Sequence, residues 1–249
     1  MNITLANIDI FILAAGFGTR LRPLTDTCPK PLIKIAGKTL LERNIESLVR
    51  SGAKRIIVNV HYLAEQIISF LGNGSKWGIE IVISREDPIL DTGGGIKKIE
   101  NILQHDILLT MNSDILLPDD FDFIPLLETH NSYQDTLSTL ILRADADSKK
   151  YGEIGIGDDS RIYSFLNVQS ADIIGKKIDN YMYTGIQFIN RQAFSIMPAV
   201  GTVFSITRDF YAPLLSQQYE LRGIVYSGYW SDVGTLESLA NAQKEFLFR

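Results

Sequence analysis

The stretch from Leu13 to Thr25, LAAGFGTRLRPLT, limits what this chain can fold into more than any other. It follows an apolar run, Ile8 to Leu13, whose β-branched and aromatic residues suit a short buried strand. A strand therefore runs into a glycine turn. Gly16 and Gly18 lack a Cβ, so the backbone can take positive φ there and its N–H groups can approach an anion closely. Thr19, Arg20 and Arg22 add a hydroxyl and two fixed positive charges, and the planar guanidinium fork donates to phosphate oxygens in pairs. The chemistry suggested is a polyphosphate cradle. An isolated glycine turn would have no need of two arginines, a threonine and the nearby Lys30.

Two other phosphate loops fit poorly. A dinucleotide loop reads G-x-G-x-x-G, with an acidic residue about 20 positions further on. Here the third glycine position is Leu21, and the next clear strand starts only at Arg55. A Walker A loop needs G-x-x-x-x-G-K-[ST]. Gly37, Lys38 and Thr39 supply its last three letters, but Leu32 stands where the first glycine is required. Downstream, Pro29-Lys30-Pro31-Leu32 holds a lysine between two prolines, which predicts an extended and stiff Lys30.

Read in order, the chain alternates strand and helix patterns, which predicts an α/β fold: three Rossmann-like layers around a mixed, mostly parallel sheet. Thr39 and Glu42 form a capping box for a helix ending before Gly52. Arg55 to Val60 reads as a strand, Ala64 to Leu71 as a helix and Ile79 to Ser84 as a strand. The loop Asp91-Thr92-Gly93-Gly94-Gly95 opens a helix toward Ile102, and its amides are expected to be unpaired and open to a ligand. Asp106 to Met111 is a strand ending in Asn112-Ser113-Asp114. Ligands of open α/β sheets gather beyond the carboxyl ends of strands, so a carboxylate there can hold a hard divalent cation or simply cap a turn. Asp120 to His130 reads as a helix and Thr136 to Arg143 as a strand. Residues 151–190 alternate more like an antiparallel hairpin insertion carrying Gly152, Glu153, Thr184 and Gly185. Lys176 and Lys177 fall in a polar turn of it. After a helix over Thr207 to Gln217 and a strand over Gly223 to Tyr229, the run Trp230-Ser231-Asp232-Val233-Gly234-Thr235 places a second acidic residue ahead of a last helix.

Composition narrows the function classes. The chain has 249 residues, 45% of them hydrophobic, enough to bury one large domain over 1–249. Its net charge of -5 leaves no basic footprint for nucleic acid. Phosphorylated ligands would need local arginine, lysine or a cation against that background. The single Cys28 excludes an internal disulfide or cysteine zinc cluster, and His61, His105 and His130 lack ligand spacing. No apolar run approaches membrane-spanning length and the N-terminus does not read as a leader, so no membrane association and a cytoplasmic location are expected.

LAAGFGTRLRPLT followed by PKPL resembles the signature of the sugar-1-phosphate nucleotidylyltransferases, the makers of NDP-sugars. Further segments of the resemblance are HYLAEQI, FLGNGSKWG, DTGGG and DVGTLESLA, and the resemblance extends over nearly the whole chain. The resemblance implies a nucleoside triphosphate bound by Leu13, Ala14, Ala15, Gly16, Gly18, Thr19, Arg20 and Lys30, with Thr92, Gly93, Gly94 and Asn112 also on the nucleotide. It implies Mg²⁺ on Asp114 and Asp232, and sugar contacts at Gly152, Glu153, Thr184 and Gly185. Arg20, Lys30, Asp114 and Asp232 would carry catalysis, as the sugar phosphate oxygen attacks the α-phosphorus in line and pyrophosphate leaves. The family's NGD is NSD here, so Ser113 adds a side chain where glycine is common. The substrate pair implied first is UTP with N-acetylmuramate 1-phosphate, in cell-wall recycling. GTP with mannose or heptose 1-phosphate is the alternative, and a non-catalytic nucleotide-sugar sensor the alternative of another class. A monomer or small homo-oligomer is expected. No hexapeptide repeat follows the last helix, so no C-terminal β-helix is expected.

Overall fold

The computed structural model describes residues 3–145 and 152–247. Contacts group the chain into two compact units, one of Met1–Ile89, Met111–Ile124 and Tyr229–Arg249, the other of Leu90–Thr110 and Pro125–Gly228.

The first unit is built on parallel strands β1 (Asp9–Leu13), β4 (Arg55–Val60) and β5 (Glu80–Arg85), with β4 in the middle. Phe11 lies opposite Ile57, and Ile57 opposite Val82. Residues 56–60 of β4 are all buried, as expected of a parallel strand covered on both faces. Buried Asp9 is met by the Arg55 guanidinium at 3.2 Å. Helix α1 (Leu40–Arg50) begins as its letters predict, the Glu42 N–H donating to Thr39 Oγ1 at 3.0 Å. Helix α2 spans Ala64–Leu71. The Gly37-Lys38-Thr39 run is no phosphate loop. Lys38–Thr39 form strand β3, paired with β2 (Lys34–Ile35) across a tight turn in which Ala36 and Gly37 take positive φ.

Two short strands close this unit. Strand β7 (Ile115–Leu116) pairs antiparallel with β14 (Ser231–Asp232), and the last helix, Leu236–Leu247, follows. Beneath them Leu21, Ile33, Ile35, Leu40, Leu116, Val233, Leu239 and Ala242 form one buried apolar cluster. Residues from the glycine-loop region, the segment after PKPL, α1 and the last helix thus share a core, which makes their relative positions costly to change.

The second unit holds a mixed sheet. Strand β8 (Ser138–Arg143) pairs parallel with β13 (Leu221–Val225) and antiparallel with β12 (Ile178–Asn190). The first residues of β12 pair instead with β9 (Ile154–Gly157), which continues into β10 (Ile162–Phe165) and β11 (Val168–Gln169) as an antiparallel meander. The antiparallel insertion is therefore present over the described residues; Tyr151 lies outside them. Strand β6 (Ile107–Asn112) ends in the first unit.

Three local expectations are corrected. The helix read over Asp120 to His130 runs instead over Ile124–Ser132. Asp122 provides the reason, because its Oδ1 accepts the Ile124 N–H at 2.9 Å and so sets the helix start. The helix read over Thr207 to Gln217 is a π-helical turn, Ile206–Tyr211, leading into a short α-helix, Ala212–Ser216. Pro213 lies in the first turn of that helix. The strand read over Gly223 to Tyr229 is β13, Leu221–Val225, which stops short of Tyr229.

Candidate active site

Strand β1 delivers the glycine loop. Its ladder with β4 ends at Leu13 opposite Asn59, and Leu13 O accepts the Ser113 N–H at 3.1 Å. Ala14 and Ala15 are buried, and the chain then emerges. Gly18 takes φ +64°, and its carbonyl accepts both the Leu21 N–H and the Thr25 hydroxyl. A Cβ on Gly18 would stand 3.0 Å from Thr25 Cγ2 and 3.1 Å from Lys30 Cβ, so glycine is required for closure as well as for φ. At Gly16 a Cβ would meet nothing within 4 Å. That position is open, and among the described residues the N–H groups of Gly16, Phe17 and Gly18 donate to no protein acceptor. Unspent amides at a glycine bend form an anion-binding concavity.

Lys30 is placed by a turn rather than a strut. Lys30–Leu32 form a single 3-10 turn closed by the Ile33 N–H on Lys30 O at 3.1 Å, where the letters predict extended backbone. Pro31 fits inside this first turn because the N–H it lacks would have had no partner there. Lys30 is only 9% exposed, and its ammonium is spent on two carboxylates. It donates to Asp114 Oδ2 and lies 3.8 Å from Asp232 Oδ1. Arg20 Nη2 reaches Asp232 Oδ2 at 4.0 Å.

Backbone pairing brings the two aspartates together. Asp232 lies opposite Ile115 in the β7–β14 ladder, and the Val233 N–H donates to Asp114 O at 3.1 Å. Ser113, the departure from NGD, is buried with its carbonyl held by Asn44 Nδ2 at 3.3 Å. The Asp232 carboxyl is pushed above the ordinary carboxylate range by burial first and by the facing Asp114 charge second, while Lys30 and Arg20 pull it back. Two positive charges stand against two negative ones, so the cluster is balanced as it stands.

A hard divalent cation suits this pair. Asp232 Oδ1 is buried without a hydrogen-bond partner, an oxygen still owed a donor or a metal. Among the described residues no group of three or more His, Cys, Asp or Glu side chains could hold a metal ion. Two carboxylates plus substrate oxygens is how Mg²⁺ is commonly bound.

The remaining sequence candidates belong to the second unit. Helix α3 spans Asp91–Lys98, but its glycine amides are not open as expected. The N–H groups of Gly93 and Gly94 donate to Phe204 O at 2.9 and 3.2 Å, and Thr92 Oγ1 accepts the Ile206 N–H at 3.0 Å. Nor is there room for side chains, since a Cβ on Gly94 would lie 2.4 Å from Thr202 O. These glycines therefore seat the 202–206 segment. Gly152 takes φ +85°, and Glu153 is half-buried with its carbonyl accepting the Leu166 N–H. Gly185 takes φ +82° within an irregularity of β12 between Tyr183 and Gln187. Thr184 is buried, and its hydroxyl donates to Ile141 O at 2.7 Å. Lys176 and Lys177 sit within 4 Å of the insertion's own acids, Asp159 for the first, Asp158 and Asp179 for the second.

A glycine bend with free amides, a buried lysine and a carboxylate pair thus lie together within the first unit. The chain belongs to the nucleotidyl transferase family, whose model matches residues 10–248. It is 32% identical over 237 residues to the N-acetylmuramate alpha-1-phosphate uridylyltransferase of Neisseria meningitidis serogroup B, covering 93% of this chain and 95% of that protein. It is 31% identical to the mannose-1-phosphate guanylyltransferase catalytic subunit beta of Drosophila pseudoobscura pseudoobscura, covering 94% of this chain and 61% of that subunit. The chain thus spans about three fifths of the length of such longer relatives. The crystal structure of HddC from Yersinia pseudotuberculosis superposes with a TM-score of 0.76 at 24% identity, over 96% of this chain and 99% of that one, and shows the same α/β fold.

Proposed function

We propose that this protein transfers a nucleotidyl group from a nucleoside triphosphate to a sugar 1-phosphate, releasing pyrophosphate. The observation that carries the proposal is the meeting of Lys30, Arg20, Asp114 and Asp232 beside the glycine bend, within one compact unit. The free amides of Gly16, Phe17 and Gly18 and the Arg20 fork would hold the leaving phosphates and take up the charge that develops on them. Lys30 would turn from the carboxylates toward the phosphates as the anion arrives. Asp114 and Asp232 would then hold a Mg²⁺, which would supply Lewis-acid polarisation of phosphoryl oxygens. The sugar contacts are assigned to Gly152, Glu153, Thr184 and Gly185 by family resemblance. Because the Thr184 hydroxyl proton is committed to Ile141 O, Thr184 would act through its backbone or by shaping the Gly185 irregularity.

UTP with N-acetylmuramate 1-phosphate is the preferred pair, since the relative named for it matches this chain over 95% of its own length. GTP with mannose 1-phosphate is the second reading, supported by similar identity to a longer guanylyltransferase subunit. Pyrophosphate release from a panel of sugar 1-phosphates against UTP, GTP, CTP, ATP and dTTP with Mg²⁺ tests both. Release with no pair would refute the enzymatic reading and leave a nucleotide-sugar sensor. Asp232→Asn retaining wild-type turnover at limiting Mg²⁺ would refute the cation assignment.

A further inference from the structure

The run NVHYLAEQ, residues 59–66, carries none of the groups assigned above to phosphate, cation or sugar. Four of its side chains nevertheless reach the loop that does. Asn59 Oδ1 accepts the Ala14 N–H at 2.6 Å. The His61 ring meets Phe17 edge to face, centroids 5.4 Å apart. The Tyr62 hydroxyl donates to Thr25 O at 2.9 Å, and Gln66 Nε2 donates to Thr27 O at 3.0 Å. One segment thus holds the glycine loop at its root, its tip and its far side.

Asn59 is the member with no substitute. It closes the β1–β4 ladder opposite Leu13, and the next amide, Ala14 N–H, is buried where water cannot satisfy it. A carboxamide has a donor end and an acceptor end, and here both ends are fixed. Asn59 Nδ2 donates to Glu86 Oε1 at 2.7 Å, so Oδ1 must face Ala14. Glu86 is itself anchored, its N–H on Val60 O at 2.9 Å and its carbonyl against His61 Nδ1 at 2.9 Å. Asn59 and Glu86 are 2% and 3% exposed. The direction in which Ala15 to Gly18 leave the strand is therefore set by a buried relay from Glu86 through Asn59 to Ala14.

We infer that Asn59, oriented by Glu86, is a positioning residue for the triphosphate loop, acting on phosphate binding through the Ala14 amide. The inference rests on the nucleotide role given to the loop above. It also makes a specific reversal available. In Asn59→Asp the new carboxylate still accepts from Ala14 but faces Glu86 across a buried gap. In Asn59→Asp/Glu86→Gln the glutamine amide donates to the aspartate, and the relay is rebuilt with that bond reversed.

The test measures calorimetric binding of UTP, GTP and inorganic tripolyphosphate to wild type, Asn59→Asp and the double variant, with KM for triphosphate and for sugar phosphate determined separately. Asn59→Asp should weaken triphosphate binding on the order of tenfold to a hundredfold, the cost of leaving a buried polar group mispaired. KM for the sugar phosphate should stay within about twofold, and the double variant should regain most of the triphosphate affinity. A purely structural role would instead move both KM values and the melting temperature together. Wild-type affinity in Asn59→Asp, or a folded double variant that binds no better than the single one, overturns the inference. A wild-type protein that binds no triphosphate removes the loop assignment instead. If Asn59→Asp does not fold, the double variant alone decides, and it must bind as wild type does.

Discussion

Replacing Lys30 with methionine keeps most of the side-chain volume and removes the one ammonium lodged between Asp114 and Asp232. At 3.8 Å and an effective dielectric of about 20, the attraction to Asp232 alone is about 4 kcal/mol before desolvation is subtracted. Breaking a mostly buried ion pair from one side has a net cost of about 3 kcal/mol. The deficit should depend on pH in a definite direction. Asp232 already ionises with difficulty, because burial and Asp114 oppose its charge. A carboxyl raised in the folded state contributes stability at low pH that is lost as pH rises through its folded-state value. Without Lys30 that rise is larger, so Lys30→Met should be most destabilised near neutrality and recover toward acid. A divalent cation should compensate: at a hundredfold over its Kd, Mg²⁺ returns about 2.7 kcal/mol. The wild type, whose carboxylates are already neutralised, should gain much less from Mg²⁺ alone. Urea unfolding followed by far-UV circular dichroism, with and without Mg²⁺ at several pH values, reads all three effects. Equal stabilisation of both proteins by Mg²⁺, or no loss in Lys30→Met at neutral pH, would refute the view that Lys30 stands in the cation's place.

Other consequences can be measured separately. Gly16→Ala should leave the melting temperature unchanged, because its Cβ meets nothing within 4 Å, yet raise KM for the triphosphate. Gly18→Ala should cost about 1–2 kcal/mol of stability for a left-handed residue pressed on Thr25 and Lys30. Thermal melts combined with KM would distinguish the two positions, and identical behaviour would contradict the loop geometry. In the second unit, burial pushes His130 down to about 4, against the pull of Asn190. Asn190 Nδ2 donates to Thr136 O, so its Oδ1 faces His130 Nε2–H, and Nδ1 accepts from the Thr139 hydroxyl. A base depressed in this way loses its contribution as pH falls from about 6.5 toward 4, by up to about 3 kcal/mol. Proton uptake on unfolding in that window should vanish in His130→Gln, and its persistence would assign the effect elsewhere.

Much of the local architecture follows from letters alone. The apolar run Ile56–Val58 suits a parallel strand covered on both sides, and Ala64–Leu71 stops at Gly72. Thr39 and Glu42 announce where α1 starts, and the glycine bend and proline-flanked lysine point toward an anion ligand before any fold is known. These signals are local, being periodicity, caps, backbone freedom and fixed charge on neighbouring residues. Only the tertiary structure decided which donors were already spent. Gly93 and Gly94 read as open amides, but Phe204 O, over a hundred positions away, occupies both. Asp114 and Asp232 read either as metal carboxylates or as turn caps, and the Val233 N–H on Asp114 O is what brings their carboxyls together at Lys30. Asn59 carries no motif at all, and its importance appears only where the Ala14 N–H and Glu86 meet it. A sequence fixes what each group can donate or accept, whereas a buried group's actual partner depends on chain segments that only folding brings within hydrogen-bond reach.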